Sequence, residues 1–492
     1  MKGRLKTLAR PAAVTALIWA VLLPLVTSGN IRMDSERMFH TPQIAMDQYV
    51  REGRSALVWL LRLFGLTEWN PVRSGILFLL FLSLACWMLW AALRRFRAWK
   101  DTWYPELFLL LYGLSPIWAY HGYFTLQIAA IGFGILLATG TACADARFMG
   151  REKTRPALLA AWNAAAAAVL CFTLLIYQSL IVCYAAALLT LIFCRRVQRE
   201  PLRRGQLCLI VLRAAAAVAG YLLISQALRG DAGSGNLAVQ IHWGKDNFTW
   251  CLYRMMLEAG ATVLMYTSRY FSLYTLGLVL MIVLWVRRRK AGEEKNTPLL
   301  LCGVALAAAP FAMTVLLGNV TVPRSQFALQ MAGAFFPVCF MAVSGGRQKA
   351  LKIVCIAAAV IQVVLTARLI YTDNKRNETD TRAAAVITEE LKDKDKPLVF
   401  VGVLRMEDTL LTERSDVFGR TFFEWNWHGD DPTAATHPAI RLLTAYDGGN
   451  YRPFDSGAQA AEGAAVAADM PAYPADGFIR EEEGFIVIKL SE

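Results

Sequence analysis

The sequence predicts a mainly α-helical, polytopic membrane protein with a small α/β domain at its C-terminus. Of its 492 residues, 56% are hydrophobic and only 18% are charged, whereas soluble proteins carry roughly a quarter charged residues. The mean hydropathy is +0.40. Apolar runs long enough to cross about 30 Å of hydrocarbon recur through the first three quarters of the chain. The last 121 residues are different, with 13 basic and 23 acidic side chains.

We predict eleven membrane spans, of which the third and the sixth are short for a bilayer. The first run resembles a signal peptide, but no small-x-small cleavage pattern precedes the acidic stretch that follows it, so we interpret it as a span. The predicted spans are 11–28, 73–93, 104–120, 124–143, 157–176, 180–194, 207–227, 271–286, 297–318, 326–344 and 353–371.

The basic residues predict the orientation of these spans. If the N-terminus is cytoplasmic, the inner segments hold 25 Lys and Arg, whereas the short outer hairpins "YHGY" and "YQS" hold none. Cytoplasmic loops are enriched in basic residues, so we expect the N-terminus inside and the C-terminus outside. The net charge of +13 then reflects membrane orientation and gives no indication of a nucleic-acid partner.

Two predicted domains follow from this pattern. Residues 1–371 form the transmembrane domain. Residues 372–492 form an extracytoplasmic α/β domain with a helix that begins at Asp380, over "DTRAAAVITEELKDKDK", and strands at "PLVFVGV" and "GFIVIKL". The first outer loop, 29–72, contains amphipathic helical sequence interrupted near Gly53, which is expected to lie at the membrane interface. The ten cysteines include no CxxC pair, so neither a disulfide framework nor a zinc site is expected.

Two carboxylates follow the first span, in "SGNIRMDSERMFH". Asp34 on the outer face can act as a general base for an acceptor hydroxyl, with Glu36 beside it. A solvated loop, a helix N-cap or pairing with Arg37 are the structural alternatives. The two carboxylates could also hold a hydrated Mg²⁺ or Mn²⁺, but two ligands alone do not define a metal site, so none is predicted.

Three outer arginines are candidate ligands for a phosphate. Arg51 and Arg54 lie three residues apart in the amphipathic stretch, and Arg324 stands alone after a proline in "GNVTVPRSQF". A guanidinium group binds phosphate oxygens in a bidentate manner. The alternatives are contacts with lipid headgroups, pairing with Asp47 or Glu52, and snorkelling of the side chain to the interface.

Other outer residues could bind a sugar. Tyr177 and Gln178 form the tip of the "YQS" hairpin, His121 lies in "WAYHGYF", and His242 with Trp243 could form a stacking platform in "QIHWGKD". The alternatives are an interfacial anchor for Tyr177 and a core histidine for His121.

The chain resembles the Gtr-type O-antigen glucosyltransferase family of bacteria, membrane glycosyltransferases similar in architecture to the GT-C superfamily. The resemblance rests on "MDSERM" followed by "YVREGRSALVWLLRLFG", on "YQS", and on "VPRSQFAL" at the entry to a late span. It also rests on "KPLVFVGV", "GRTFFEW" and "MPAYPADGFIREEEGFIVIKL" in the tail. Together these motifs extend over nearly the whole chain.

The resemblance implies that a hexose, typically glucose, is transferred from a polyprenyl-phosphate donor to a cell-surface glycan outside a bacterial plasma membrane. Asp34 would be the base, assisted by Glu36, and Arg54 and Arg324 would bind the donor phosphate. No cofactor is required, and a flippase and a lipid-phosphate glucosyl synthase are expected partners. Related enzymes often carry another acidic residue near the second outer hairpin, where this chain has "HGYFTLQ".

Two other classes of function stay open from the sequence. A transporter of lipid-linked glycans would need ionisable residues in the middle of its spans and broken helices in paired halves. The predicted spans carry few charges at their centres, and Arg213 and Arg368 lie near span ends. A non-catalytic protein of surface-polymer assembly is the third possibility.

Overall fold

A computed structural model describes most of the chain, in two compact units. The described residues are 2–36, 42–100, 102–149, 155–200, 204–229, 240–264, 271–291, 297–345, 348–427, 429 and 431–491. The first unit comprises Met1–Thr27, Met46–Leu66 and Pro71–Thr366. The second comprises Ser28–Ala45, Thr67–Asn70 and Ala367–Glu492. The predicted domain boundary at residue 371 stays a prediction.

Helices account for nearly all the secondary structure before residue 391. In chain order they are α1 Lys2–Val26, α2 Pro42–Arg51, α3 Ser55–Leu63, α4 Pro71–Leu93, α5 Tyr104–Gly113, α6 Ile117–Tyr123, α7 Ile128–Met149, α8 Pro156–Ile176, α9 Leu180–Val197, α10 Arg204–Arg229, α11 Phe248–Leu264, α12 Tyr274–Lys290, α13 Thr297–Ala308, α14 Ala312–Leu317, α15 Leu329–Ser344 and α16 Lys349–Glu390. Short 3₁₀ turns at Ala309–Phe311 and Pro323–Ser325 precede α14 and α15.

Eight helical stretches of the described chain are long and apolar enough to cross a membrane. They are Leu8–Val26, Pro71–Leu93, Ile128–Met149, Pro156–Ile176, Leu180–Val197, Gly205–Leu228, Thr297–Leu317 and Lys349–Glu390. This supports a multi-pass membrane protein, whereas the predicted number of eleven spans is not confirmed. Helix α12 has 17 residues and α15 has 16, so each is short for about 30 Å of hydrocarbon.

The predicted span 104–120 is not one helix. It forms α5 and α6, with a break at Leu114–Pro116. Proline has no amide hydrogen to donate and disfavours helical geometry in the residue before it, so Pro116 ends one helix and begins another.

Two spans of the first unit share a buried ion pair. Asp145 on α7 bonds the guanidinium of Arg213 on α10, and the hydroxyl of Tyr184 donates to Asp145 at 2.7 Å. Arg213 was expected near a span end, but α10 begins nine residues earlier, at Arg204, so the pair lies in the interior of that helix. Each charge thus has a buried protein partner of opposite sign, and the pair links these two helices.

The second unit contains a three-stranded sheet. Strand β1 (Leu398–Val401) pairs in parallel with β3 (Ile486–Lys489), and β2 (Ile479–Glu481) pairs antiparallel with β3. Helices α17 (Thr436–Asp447) and α18 (Gly457–Ala467) complete the unit. The strands, α18 and residues next to them share a buried cluster of apolar side chains: Val399, Val401, Ala467, Met470, Phe485 and Val487.

Helix α16 joins two elements that the sequence predicts separately. The expected span 353–371 and the expected helix beginning at Asp380 are parts of one helix of 42 residues. The whole of α16 contains no glycine or proline, so nothing in the local sequence interrupts it.

Candidate functional site

A polar pocket in the first unit brings together five of the residues predicted from the sequence. Its volume is about 270 Å³. Arg54, Tyr177, Gln178, His242 and Arg324 all line it. The other lining residues are Ser179, Gln240, Met313, Leu317, Asn319, Val320, Thr321, Val322 and Ser325. These described lining residues include two arginines and no carboxylate, and Glu52, which pairs with Arg54, offsets only part of this positive charge, so the pocket suits an anionic ligand.

Arg54 reaches the pocket from the break between α2 and α3. Gly53 has φ of +78°, a backbone conformation that glycine adopts at little cost, and this confirms the predicted interruption. The Arg54 guanidinium is 3.2 Å from Glu52 and lies over the Tyr177 ring at 4.9 Å. Its buried Nε has no hydrogen-bond partner among the described residues.

The "YQS" tip joins α8 to α9. Gln178 donates from Nε2 to the Glu52 carbonyl oxygen at 3.1 Å and to the Tyr221 hydroxyl at 3.0 Å. Tyr177 is buried under the Arg54 guanidinium. The tip thus fixes the chain segment that carries Arg54.

Arg324 is carried by a loop that we call the Arg324 loop, residues 319–326. Helix α14 ends at Gly318, whose φ is +66°, and a Cβ there would lie 2.9 Å from the Trp243 ring. The loop then turns at Pro323–Ser325. The Arg324 guanidinium lies over the Phe124 ring at 4.2 Å, which favours the cation electrostatically.

A buried carboxylate that sequence reasoning missed holds this loop. Glu258 on α11 is 1% exposed. It accepts hydrogen bonds from Thr321 and Gln326. Burial raises the pKa of Glu258, although these hydrogen bonds act in the opposite direction. The signal in the sequence was a single charge within the apolar run "MMLEAGATVL".

Hydrogen-bonding neighbours on both sides orient the ring of His242. Its Nδ1 is 2.8 Å from Asp246 Oδ2, and Arg254 donates to the same oxygen at 2.6 Å. These hydrogen bonds, His242 first and then Arg254, hold the pKa of Asp246 below its usual range. On the other side, Asn319 Nδ2 is 3.0 Å from His242 Nε2. Since Asn319 Oδ1 accepts the Val320 amide at 2.9 Å, its NH₂ group faces the histidine.

Trp243 and His121 lie outside the pocket lining. Trp243 donates from Nε1 to the Val315 carbonyl oxygen at 2.8 Å and packs on Gly318. His121 is 1% exposed, and its ring lies 4.7 Å from that of Phe327. Burial, with a further contribution from Arg324, lowers the pKa of His121 to about 3. This histidine is neutral, and sugar binding by either residue stays a prediction.

Asp34 and Glu36 belong to the second unit. Asp34 is half-buried and has φ of +73°, in a turn where the Ser35 amide donates to the Arg32 carbonyl oxygen at 3.0 Å. Aspartate tolerates this conformation better than most residues, but it is sparsely populated and often marks a functional position. Glu36 is 2% exposed and lies 3.0 Å from Arg441 Nε. The predicted alternative of pairing with Arg37 falls outside the described residues.

A buried network of charges holds the Asp34 turn within the second unit. Arg32 is 2.6 Å from Asp373. Arg376 is 2.7 Å from Asp373 and 3.0 Å from Asp380, and it also donates to the Ile31 carbonyl oxygen at 2.6 Å. All four charged side chains are fully buried. The turn therefore rests on a rigid base formed by α16.

The structure gives less support to Arg51 as a phosphate ligand and to a cation at Asp34 and Glu36. Arg51 ends α2, is exposed, and is not among the residues that line the pocket. The described part of the chain holds no group of three or more His, Cys, Asp or Glu side chains that could bind a metal ion. Mg²⁺ or Mn²⁺ binding by Asp34 and Glu36 stays the alternative that the sequence left open.

Comparison with known proteins supplies the family. No curated protein sequence matches the chain. One similar solved structure is ArnT from Cupriavidus metallidurans bound to undecaprenyl phosphate, with 13% identity, coverage of 94% of this chain and 88% of that chain, and a TM-score of 0.45. The family described as Glucosyl transferase GtrII matches residues 23–341. Because this match covers about two thirds of the 492 residues, the chain belongs to the GtrII glucosyl transferase family and is a membrane glycosyltransferase.

Proposed function

We propose that this glycosyltransferase transfers a hexose, expected to be glucose, from a polyprenyl-phosphate donor to a cell-surface glycan on the outer face of a bacterial plasma membrane. The observation that carries the proposal is the pocket lined by Arg54 and Arg324. Two guanidinium groups and no carboxylate among the described lining residues match the charge of a phosphodiester. The family supports a glucosyl group as the part transferred.

The two arginines bind the phosphate of the donor in this proposal. A guanidinium group donates two parallel hydrogen bonds to phosphate oxygens. The charge on those oxygens increases as the bond to the sugar breaks, so fixed positive charge stabilises the transition state more than the ground state. Tyr177, Gln178 and His242 are the sugar-binding candidates that share this pocket.

Asp34 is the proposed general base. An acceptor hydroxyl oxygen attacks the anomeric carbon, the bond from that carbon to the phosphate oxygen breaks, and the phosphate leaves with the electron pair. The hydroxyl proton passes to the Asp34 carboxylate. One displacement without an enzyme nucleophile inverts the configuration of the sugar. The left-handed backbone of Asp34 on its buried ionic base supports a fixed functional carboxylate.

Glu36 has a positioning role in the same proposal. Its ion pair with Arg441 places it against the body of the second unit, two residues after Asp34. The chemistry needs no cofactor, because the phosphate is already a good leaving group. A divalent cation at these two carboxylates would add positive charge beside the base.

The test of this proposal is transfer by membranes that contain the full chain. They are incubated with synthetic polyprenyl-phosphate hexoses and a panel of surface glycans, and mass spectrometry identifies the consumed donor and the product. We expect the glucose donor to be consumed with inversion, and Asp34→Asn to reduce transfer by about a thousandfold or more, because it removes the base. Asp469→Asn, an exposed carboxylate of the same unit, is the matched control and should transfer normally.

Two outcomes would contradict the proposal in different ways. Normal transfer by Asp34→Asn would remove Asp34 as the base while leaving the enzyme class intact. Movement of the lipid-linked sugar across the membrane, with no product from any acceptor, would favour the transporter instead.

A further inference from the structure

Glu258 is a buried carboxylate with no role in the proposed chemistry. It lies on α11, and its two oxygens touch the Arg324 loop. Oε2 accepts the Thr321 amide at 2.6 Å, and Oε1 accepts the Thr321 hydroxyl at 2.6 Å. Oε1 also accepts Nε2 of Gln326 at 2.5 Å. Both partners belong to one loop of the first unit.

These hydrogen bonds join the two ends of a short turn. Thr321 comes two residues before the 3₁₀ turn Pro323–Ser325, and Gln326 follows it directly. Gln326 Nε2 also donates to the Thr321 hydroxyl oxygen at 3.0 Å. Arg324 is the central residue of the turn. The carboxylate therefore closes the loop at its base and leaves the guanidinium at its tip.

The hydrogen bonds of the site favour a carboxylate over an amide. Thr321 and Gln326 offer three donors to Glu258, so the NH₂ of a glutamine would oppose at least one of them. Burying a carboxylate costs several kcal/mol unless such hydrogen bonds offset the cost. An apolar side chain of similar volume would leave these buried donors without an acceptor, so the carboxylate is matched to the donors of the loop.

We propose that Glu258 is a positioning residue that holds the Arg324 guanidinium at the donor phosphate. The inference rests on the proposed phosphate-binding role of Arg324. It matters for donor binding because the planar guanidinium makes its paired hydrogen bonds to phosphate oxygens only when it is correctly placed. Glu258 acts through Arg324 and does not itself line the pocket.

The loop has other attachments that stay in place when Glu258 changes. Asn319 contacts His242 at 3.0 Å, and Arg324 lies on the Phe124 ring. The Ser325 amide donates to the Val322 carbonyl oxygen at 2.9 Å. A Glu258 variant is therefore expected to keep a folded loop with a less precisely placed arginine.

The experiment is a double-mutant cycle on the full chain in membranes, with synthetic polyprenyl-phosphate glucose as the varied substrate. We expect Glu258→Gln to raise KM for this donor about tenfold, with a smaller change in kcat, since one charge-assisted hydrogen bond is lost. In a chain that already carries Arg324→Gln, Glu258→Gln should raise KM by less than about twofold further, because the guanidinium that Glu258 positions is gone.

Glu106→Gln is the matched control. Glu106 is another buried glutamate of the first unit, at 7% exposure. It accepts from Trp90 Nε1 at 3.0 Å and does not line the pocket. We expect the KM of the Glu106→Gln variant for the donor to equal that of the parent. If Glu258→Gln fails to accumulate, Thr321→Val removes the hydroxyl that donates to Glu258 and accepts from Gln326, and it should raise KM about threefold.

The outcomes separate this inference from the proposed function. If Arg324→Gln leaves KM unchanged, the phosphate-binding role is wrong. If Arg324→Gln raises KM while Glu258→Gln and Thr321→Val do not, only the inference about Glu258 is wrong. The inference about Glu258 would also be wrong if Glu258→Gln raised KM by the same factor in the parent and in Arg324→Gln, because the carboxylate would then act independently of Arg324.

Discussion

Two guanidinium groups face one pocket but are held in different ways. Arg54 is tied to Glu52 and lies on Tyr177, close to the helix break that presents it. Arg324 lies on one aromatic ring at the tip of a loop whose base is closed by Glu258. Each guanidinium is therefore fixed by neighbours of its own, which is what bidentate recognition of phosphate requires.

Replacing either arginine by lysine tests this recognition. Lysine keeps the charge but lacks the planar fork, so we expect Arg324→Lys and Arg54→Lys each to lower kcat/KM for the donor by about tenfold to a hundredfold. Steady-state kinetics with the synthetic donor measure the effect. Arg51→Lys is the control and should lie within about twofold of the parent, because Arg51 is exposed and outside the pocket. An equal loss in Arg51→Lys would restore it as a phosphate ligand.

Single residues were predictable where charge stands out against an apolar background. Arg324 was found because it is isolated between two spans, and Arg54 because it follows a glycine in an amphipathic stretch. The sequence left lipid-headgroup contacts as an alternative for both. Glu258 was missed because a carboxylate on an amphipathic helix usually faces solvent. Only the folded loop around it makes it a buried residue with three donors.

Helix breaks place the site at the scale of secondary-structure elements. The break at Gly53 was predicted, since glycine is the default residue for a positive φ. The break before Pro116 was not predicted, although proline is the residue that most often ends a helix. A single span was predicted over residues 104–120 from their hydrophobicity, without regard to the proline within them.

The attachment of the Asp34 turn to α16 gives a prediction at this scale. Asp373→Asn leaves Arg32 and Arg376 without a shared counter-charge, and removing one partner of a buried ion pair costs about 3–5 kcal/mol. We expect a clear fall in the apparent unfolding temperature of the purified protein in detergent, measured by a thermal scan.

The control for this prediction is an exposed ion pair on the same helix. Lys375 and Glu378 are 2.8 Å apart, and both side chains are close to half exposed. Surface pairs contribute about 0–1 kcal/mol, so Glu378→Gln should leave the unfolding temperature nearly unchanged. A similar fall in the unfolding temperature of both variants would mean that burial does not determine how much the network contributes to stability.

Orientation is a property of the whole molecule. The distribution of basic residues predicts that the N-terminus is cytoplasmic and the C-terminal residues are outside. A membrane-impermeant maleimide should therefore label Leu410→Cys in intact cells, since Leu410 is 97% exposed. Arg97→Cys, at an exposed position of a predicted inner segment, should be labelled only after permeabilisation.

This labelling needs a parent chain in which Cys208→Ser removes the cysteine with an exposed position. Labelling of the Arg97 position in intact cells, or protection of the Leu410 position, would place the C-terminal residues in the cytoplasm. The outer-face reaction would then be excluded.

The sequence alone determined the class of this protein, the order of most of its helices and the family resemblance that the comparison confirmed. These depend on hydrophobicity and charge along the chain, because a stretch of about twenty residues is long enough to cross the bilayer and its flanking charges set its orientation. The tertiary structure decided which polar residues share a pocket, that Glu258 closes the Arg324 loop, and that Arg32 is buried in a network of ion pairs. Those facts depend on contacts between residues up to several hundred positions apart, and local patterns carry no information about such contacts.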